Sequence, residues 1–253
     1  MCREAKDQLE HDIYTKLINL IRTCEKQSDK LPPEEVLAET LGISRVKLRD
    51  ILAVLEAQGY INRRKGVGTL INRCLLKEPT RIDIDAIYEE LVKDAGHEPH
   101  TQLRKLQQLE HTPEQVAQQL GIRPADQTYL VEKVIFADQT PAIFLQDYIL
   151  PQYYNETNID LLLLAKSTFS FVESYAKDSL ESIVVHLHAC QADALVANAL
   201  AIAPGTPILR LNSMCYGFHS EPILCSVEYH NTEVLPYCLY KRLHRTRFYA
   251  RGQ

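Results

Sequence analysis

The short segment Gly42-Ile43-Ser44 constrains the fold of this chain most, because it separates two short segments with helical periodicity. Pro32 and Pro33 open the first segment, where a helix tolerates proline in its first turn, and Gly42 is a typical C-cap. Ser44 is a favourable N-cap for the second segment. Its predicted buried stripe consists of Leu48, Ile51, Leu52 and Leu55. Two helices joined by a short glycine-containing turn predict a helix-turn-helix.

The flanking sequence extends this motif on both sides. An apolar pattern from Ile13 to Ile21 predicts a preceding helix over about residues 9–24. Residues 60–64 and 69–73 read as two short strands around the glycine-containing turn Lys65-Gly66-Val67-Gly68. In a helix-turn-helix the second helix is the recognition helix, which here begins after Ser44. A basic hairpin directly after this helix is typical of the wing of a winged helix-turn-helix.

The distribution of charge favours a DNA-binding N-terminal domain. The whole chain has a net charge of −5, but residues 1–75 carry 13 basic and 11 acidic side chains, and residues 76–253 carry 15 and 22. A DNA footprint is local, so a basic stripe matters more than the total charge. The stripe between residues 43 and 73 consists of Arg45, Lys47, Arg49, Arg63, Arg64, Lys65 and Arg73.

The start of the second helix has the geometry of a base-reading surface. At 100° per residue, Arg49 lies beside Arg45, and Val46 lies opposite the buried stripe. An exposed valine there can meet a thymine methyl group, and the basic side chains can reach phosphates or guanine edges. The alternative is a solvated charged helix face.

The run from Leu31 to Ile71 resembles the winged helix of the GntR family. Its motifs LPPEEVLA, GISRVKLR and GVGT follow the family patterns L-P-S-E-R-E-L-A, G-V-S-R-T-T-V-R and G-x-G-T in order. The resemblance implies that Arg45, Arg49 and Gly66 contact DNA. With the basic stripe, the predicted DNA-binding residues are Arg45, Val46, Lys47, Arg49, Arg63, Arg64, Lys65, Gly66 and Gly68.

This chain departs from the family pattern at the start of both helices. Pro33 and Glu35 replace the serine and arginine of L-P-S-E-R, and Val46-Lys47 replaces the usual Thr-Thr. A carboxylate cannot replace a phosphate-binding arginine. These departures predict a different operator or weaker DNA binding.

The rest of the chain alternates strands and helices in an order that predicts an antiparallel α+β domain. We place the DNA-binding domain at residues 8–75, a linker at 76–96 and the second domain at 97–246. The order resembles the UTRA effector domain of the HutC branch of the GntR family. The motifs that carry this resemblance are Leu120-Gly121-Ile122-Arg123-Pro124, Phe136-Ala137-Asp138, Ser167 with Phe169, residues 201–209, and Glu228-Tyr229.

The UTRA resemblance implies a chorismate-lyase-like fold, with helices on one side of a sheet, a ligand cavity, and homodimerisation. In relatives that bind phosphosugars, two arginines and a glutamate stand where this chain has Lys133, Ile135 and Leu145. Losing these guanidinium groups weakens an anion clamp, which favours a smaller, more apolar or singly charged effector. The predicted effector contacts are Lys133, Ser167, Glu228 and Tyr229, each of which has the alternative of an ordinary structural role.

The sequence indicates no cofactor, metal site or membrane segment. The seven cysteines show no paired spacing, so we interpret them as reduced thiols of a cytoplasmic protein. His186 and His188 alternate on one predicted strand, and without a carboxylate or cysteine pair we interpret them as a polar strand face. No apolar run approaches the length that spans a bilayer.

Together these features predict a transcription regulator, with repression as the favoured action, that binds operator DNA as a homodimer and responds to an unidentified small molecule. One alternative is an enzyme of chorismate-lyase-like fold acting on a small aromatic acid. Neither a nucleophile–base pair nor a phosphate loop supports it. Another is a regulator whose winged helix binds protein.

Overall fold

A computed structural model of the chain describes residues 2–23, 29–78, 80–84, 87–154, 160–175 and 180–242. The chain forms two compact units. The first comprises Met1–Asp85 together with Cys238–Gln253, and the second comprises Ala86–Tyr237.

The first unit is a winged helix-turn-helix. Its elements are α1 (Cys2–Thr23), α2 (Glu34–Leu41), α3 (Arg45–Ala57), β1 (Ile61–Arg64), β2 (Gly68–Ile71) and a 3-10 turn at Leu75–Lys77. Gly42 ends α2 in the left-handed conformation with φ of 66°, and the Ser44 hydroxyl accepts a hydrogen bond from the Lys47 amide at 3.2 Å. Both caps appear where the sequence predicts them.

One apolar core holds the three helices and the wing together. Leu17 and Ile21 of α1, Leu37 of α2, and the predicted stripe of α3 are at most 5% exposed. Ile61 and Ile71 pair across the wing and close the core. The predicted helical periodicity therefore corresponds to the buried faces.

A return of the chain completes this unit. Arg81 and Cys238 form a parallel bridge, in which the Ile82 amide donates to the Cys238 carbonyl at 2.9 Å and the Cys238 amide donates to the Thr80 carbonyl at 3.1 Å. The predicted second domain runs to residue 246, whereas in the structure the described residues from Cys238 to Arg242 belong to the first unit. Only a contact between residues over 150 positions apart produces this arrangement.

The second unit is built on a six-stranded antiparallel sheet with strand order β3-β4-β5-β8-β7-β6. Its strands are β3 (Pro99–Leu109), β4 (Thr128–Ala137), β5 (Thr140–Ile149), β6 (Leu180–Gln191), β7 (Pro207–Gly217) and β8 (Pro222–His230). Its helices are α4 (Tyr88–Asp94), α5 (Glu114–Leu120), α6 (Leu161–Lys166), α7 (Thr168–Tyr175) and α8 (Ala194–Leu200), with a 3-10 turn at Pro151–Tyr153. Helix α4 lies within the segment predicted as a linker.

Helices cover both faces of this sheet. Helices α4, α6 and α7 pack on the face that carries Val131 and Ile143, which we call the effector face. Helices α5 and α8 pack on the opposite face, against Tyr148 and Phe144. The expectation of helices on one side alone is wrong, because the central strands bury apolar side chains in both directions.

Among the described residues, no helix is both long and apolar enough to cross a membrane.

Candidate functional site

The N-terminal end of α3 presents the predicted base-reading residues to solvent. Val46 is 71% exposed, and the Arg45 and Arg49 side chains are 56% and 64% exposed. The buried stripe of α3 packs on the core. The opposite side of its first two turns is therefore accessible to a partner as large as a DNA duplex.

Two carboxylates of α2 hold the arginines of this surface. The Arg49 Nε donates to Glu34 Oε2 at 2.7 Å, and this hydrogen bond and charge raise the pKa of Arg49. The Arg45 guanidinium pairs with Glu35 in the same way. Glu35 stands where the family pattern has an arginine, so this surface has a carboxylate paired with Arg45 where the family pattern has a further cation.

The wing has an exposed basic tip on a glycine turn. Gly66 and Gly68 have φ of 78° and 107°, which favour glycine at both positions. Arg64 and Lys65 are exposed at this tip. Arg63 is half-buried, and its amide and guanidinium donate to the Glu56 carboxylate at 3.0 and 2.8 Å.

A buried arginine joins the C-terminal end of α3 to the returning chain. Arg81 is 3% exposed and lies between the rings of Tyr60 and Tyr240, at 5.1 and 5.4 Å from their centroids. It donates to the Gln58 carbonyl at 2.6 Å and to Asp83 at 2.5 Å. Burial alone would lower the pKa of Arg81, but the ion pair with Asp83 raises it.

A first group of buried polar side chains lies on the effector face beneath α6 and α7. The Lys133 ammonium is 3.6 Å from the Asp147 carboxylate and donates to the Thr168 hydroxyl at 2.7 Å. Thr168 and Ser226 both donate to Asp147, the latter at 2.5 Å. Burial lowers the pKa of Lys133, while the charge of Asp147 opposes this shift.

A second group on the same face surrounds Glu228, which is 1% exposed. Its carboxylate accepts a hydrogen bond from the Tyr88 hydroxyl and lies 3.2 Å from Nε2 of His230. Nδ1 of His230 lies 2.7 Å from the Tyr237 hydroxyl. Both contacts are hydrogen bonds when Nε2 of His230 donates to Glu228 and the Tyr237 hydroxyl donates to Nδ1. Burial and the nearby Glu228 charge raise the pKa of Tyr88 and Tyr237 far above the usual range.

Three of the four predicted effector contacts share this face. Lys133 and Glu228 occupy one row across the sheet, joined through Leu145 of β5. Ser167 precedes Thr168, and its hydroxyl accepts from the Ser170 amide at 3.1 Å. The structure does not bring Tyr229 to this cluster, because alternation along β8 directs it to the opposite face, where it stacks on Phe144.

The sequence reasoning missed most of the partners in these two groups. They are Tyr88, Asp147, Thr168, Ser226, His230 and Tyr237. A period-two pattern could have indicated part of this set, because Ser226, Glu228 and His230 follow one another on one face of β8. Tyr88 and Tyr237 carry no such pattern, since long-range packing brings them to Glu228.

Two known protein families match this chain, one in each of its two units. Residues 94–235 match the UTRA domain, and residues 6–71 match the bacterial regulatory proteins of the gntR family. The chain belongs to the gntR family of regulators that carry a UTRA domain. It is therefore a DNA-binding transcription regulator with a ligand-modulated effector domain. The lyase alternative is wrong, since the matched families and the named relatives are regulators.

Two curated regulators and two crystal structures are similar to this chain. The HTH-type transcriptional repressor NagR of Bacillus subtilis (strain 168) is 26% identical over 81% of this chain and 83% of its own. The HTH-type transcriptional regulator GgaR of Escherichia coli (strain K12) is 29% identical over 49% and 48%. The crystal structure of the possible regulator YydK from Bacillus subtilis covers 92% of this chain and 99% of its own, with 18% identity and a TM-score of 0.70. PhnF from Mycobacterium smegmatis covers 92% and 100%, with 19% identity and a TM-score of 0.56.

His186 and His188 lie on β6, where both side chains are exposed. Over the part of the chain that the structure describes, no group of three or more His, Cys, Asp or Glu side chains could hold a metal ion.

Proposed function

We propose that this regulator is a repressor that releases its operator when a small molecule binds the effector face. The recognition helix carries the proposal, since Arg45, Val46 and Arg49 lie exposed on one surface beside the basic wing. The relative NagR is named a repressor. We also propose a cytoplasmic location, because the operator DNA that a bacterial regulator binds lies there.

Gel-shift titration with a duplex from upstream of its own gene tests operator binding. The variant Arg45→Ala with Arg49→Ala removes two cations from the recognition helix. It should weaken specific binding at least about 30-fold, because removing one base or phosphate interaction costs about 1 kcal/mol or more. Arg123→Ala is the matched control, since Arg123 is also exposed and also paired with a carboxylate, Asp126. Equal affinities for the double variant and the control would refute this site.

We propose further that the effector is not a phosphosugar. Among the described residues of the effector face, the carboxylates of Asp147 and Glu228 and one ammonium, that of Lys133, are buried. A phosphate dianion would meet this excess of negative charge in a low-dielectric site. Leu145 supplies apolar surface between Lys133 and Glu228, and Ile135 supplies more in the next row on the same face. These groups fit an effector that donates hydrogen bonds or carries an amine.

A thermal-shift screen distinguishes these effector classes, because a ligand stabilises the fold that it binds. Glucosamine 6-phosphate and glucose 6-phosphate should leave the melting temperature unchanged, whereas members of an amine and polyol panel should raise it. Glu228→Gln should abolish the shift for an amine. Saturable stabilisation by either phosphosugar would overturn the proposed effector class.

We propose that the regulator is a homodimer joined through strand β6. The two edges of the six-stranded sheet differ. Edge strand β3 carries Arg104 and Lys105 with a β-bulge beside them, features that protect an edge against pairing. Edge strand β6 is exposed on both sides and shows apolar groups there, namely Ile183, Val184, Val185 and Leu187. A second copy of β6 would cover these groups by antiparallel pairing, and the resulting two-fold symmetry suits a palindromic operator.

Two matched substitutions, each adding one positive charge at one edge of the sheet, test this interface. Leu187→Lys on β6 should shift the mass measured by light scattering from dimer to monomer. Gln107→Lys on β3 places the same charge on an exposed residue of the opposite edge and should leave the dimer intact. Dissociation by Gln107→Lys alone, or a monomeric unmodified protein, would contradict the proposal.

A further inference from the structure

Two exposed histidines lie on the edge strand β6. His186 and His188 are two positions apart, so both side chains lie on the same face of the sheet, the one that α5 and α8 cover elsewhere. Neither imidazole forms a hydrogen bond or an ion pair with another described residue. Two ligands are too few for a closed zinc site, which has four. One copy of the chain therefore supplies half of such a site.

A buried acceptor without a partner lies beside His186. Asn212 of β7 is directly opposite His186 in the sheet. Its Oδ1 is buried and accepts no hydrogen bond from any described residue. Directly opposite residues have Cβ atoms about 4.5–5.5 Å apart, so a ring N–H of His186 can reach this oxygen. Metal-binding histidines usually make such a bond, because it fixes the ring and leaves the other nitrogen to the metal.

The register between two copies of β6 decides which side chains meet, so this inference rests on the proposed dimer. A two-fold axis perpendicular to the sheet pairs the strands antiparallel and sets one residue opposite its own copy. β6 is regular from Ser182 to Gln191, after a register shift against β7 that begins at Leu180. Leu187 lies near the middle of this stretch and, at 52%, is the most exposed large apolar side chain of β6. Pairing centred on Leu187 covers it and joins residues 183–191 of each copy.

This register brings four imidazoles together around the axis. His186 of each copy lies opposite His188 of the other, all on one face. Cross-strand neighbours are about 5 Å apart, and successive positions on one face of a strand are about 7 Å apart. The centre of this rectangle is therefore about 4 Å to the side of each Cβ. An imidazole ring and a Zn–N bond of about 2.0–2.1 Å together span that distance.

We propose that His186 and His188 of two copies bind one Zn²⁺ on the two-fold axis of the dimer. Four nitrogen ligands complete the tetrahedral coordination that zinc adopts in closed sites, and imidazole suits this metal. Asn212 is a positioning residue, which holds the ring of His186 through its free acceptor. Zinc binds the dimer and not the single chain, so it strengthens the association of the two copies.

Calorimetric titration of the metal-free, full-length protein with Zn²⁺ tests this site. Binding should saturate at one Zn²⁺ for two chains, and Co²⁺ in its place should show the visible absorption of tetrahedral coordination. The variant His186→Gln with His188→Gln should abolish both signals while light scattering still measures a dimer. The matched control is His111→Gln with His219→Gln, which removes two exposed histidines elsewhere in the effector unit and should bind zinc as before.

Two further positions separate the roles of the partner copy and of the buried acceptor. Leu187→Lys keeps both histidines on the chain but should break the dimer, so zinc binding should be lost. Asn212→Ala should weaken zinc binding about 10- to 100-fold and leave the mass of the dimer unchanged, because it removes only the acceptor that orients His186. Asn212→Asp retains an acceptor at this place and should retain the zinc affinity.

The outcomes distinguish the metal site from the proposed interface. A dimer that binds no zinc, or binds it equally well in the His186 and His188 variant, would overturn the metal site and leave the interface intact. Zinc binding by monomeric Leu187→Lys would also overturn it, since one chain would then hold the metal. An unmodified protein that is monomeric even with zinc would contradict the interface and this site together. Operator binding is measured separately by gel shift.

Discussion

In the DNA-binding unit, Arg45 and Arg49 pair with carboxylates at the surface, whereas in the effector unit Lys133 and Asp147 pair beneath two helices. Water screens the first two pairs, so each can exchange its carboxylate for a DNA phosphate at little cost. The buried pair has no such exchange, because desolvation of either group alone is expensive. The exposed ion pairs can therefore be exchanged for another partner, whereas the buried pair fixes one arrangement.

The largest expected effect is the removal of the buried carboxylate. Asp147→Ala leaves the Lys133 ammonium without its counter-ion and should lower the unfolding free energy of the effector unit by about 3–5 kcal/mol. Urea unfolding followed by circular dichroism measures it. The double variant Asp147→Leu with Lys133→Met should recover much of this loss of unfolding free energy. An Asp147→Ala variant as stable as the unmodified protein would contradict the contrast between buried and exposed ion pairs.

Arg81→Ala tests whether the DNA-binding unit also depends on one buried cation. It removes the hydrogen bond to the Gln58 carbonyl and the contacts with Tyr60 and Tyr240, so we expect a loss of about 1–3 kcal/mol. Amide hydrogen exchange over residues 45–58 should become faster. The exposed Arg123→Ala should leave these amides unchanged. Unchanged exchange in Arg81→Ala would show that the return segment does not support α3.

Alkaline pH should destabilise the effector unit through the buried thiol of Cys225. Burial, then the charges of Asp147 and Glu228, raise the pKa of this thiol to about 12 from 9.0. Because the folded pKa lies above the unfolded value, its contribution is complete below about pH 9 and is lost as the pH rises toward about 12. Within that window each pH unit costs about 1.4 kcal/mol. Cys225→Ala should show a correspondingly shallower decline in urea unfolding, and identical declines would exclude this thiol.

The smallest expected effect on stability is at the surface pair. Glu35→Gln should change the unfolding free energy by less than about 0.5 kcal/mol, because exposed ion pairs contribute little. This substitution frees Arg45 from its carboxylate partner and removes a negative charge from the proposed DNA-binding surface. The affinity for a random-sequence duplex should therefore rise about two- to fivefold. Fluorescence anisotropy at fixed salt measures this change. Weaker DNA binding by Glu35→Gln would show that Glu35 positions Arg45 productively.

Local patterns in the sequence were sufficient for the winged helix. Gly42, Ser44 and the stripe from Leu48 to Leu55 act within a few residues, and each appears in the structure as the pattern predicts. The strands of the effector unit were also predictable, since their apolar runs and turns are local. Helix α6 carries no such local pattern, because its four consecutive leucines show no helical periodicity.

Long-range packing decided the composition of the sites. The predicted set of effector contacts groups Tyr229 with Lys133 and Glu228, although adjacent residues in a strand such as Glu228 and Tyr229 face opposite ways. Asp147 and Thr168 come from distant parts of the chain, and only the sheet register and the packing of α7 bring them to Lys133.

The sequence by itself determined a basic recognition helix and wing, because caps, turns and periodicity act between near neighbours. Only the tertiary structure decided which carboxylates meet Arg45 and Arg49, and that Cys238 to Arg242 pack on the DNA-binding unit. The physical reason is that ion pairs and bridges between distant residues depend on where the whole fold places each backbone segment.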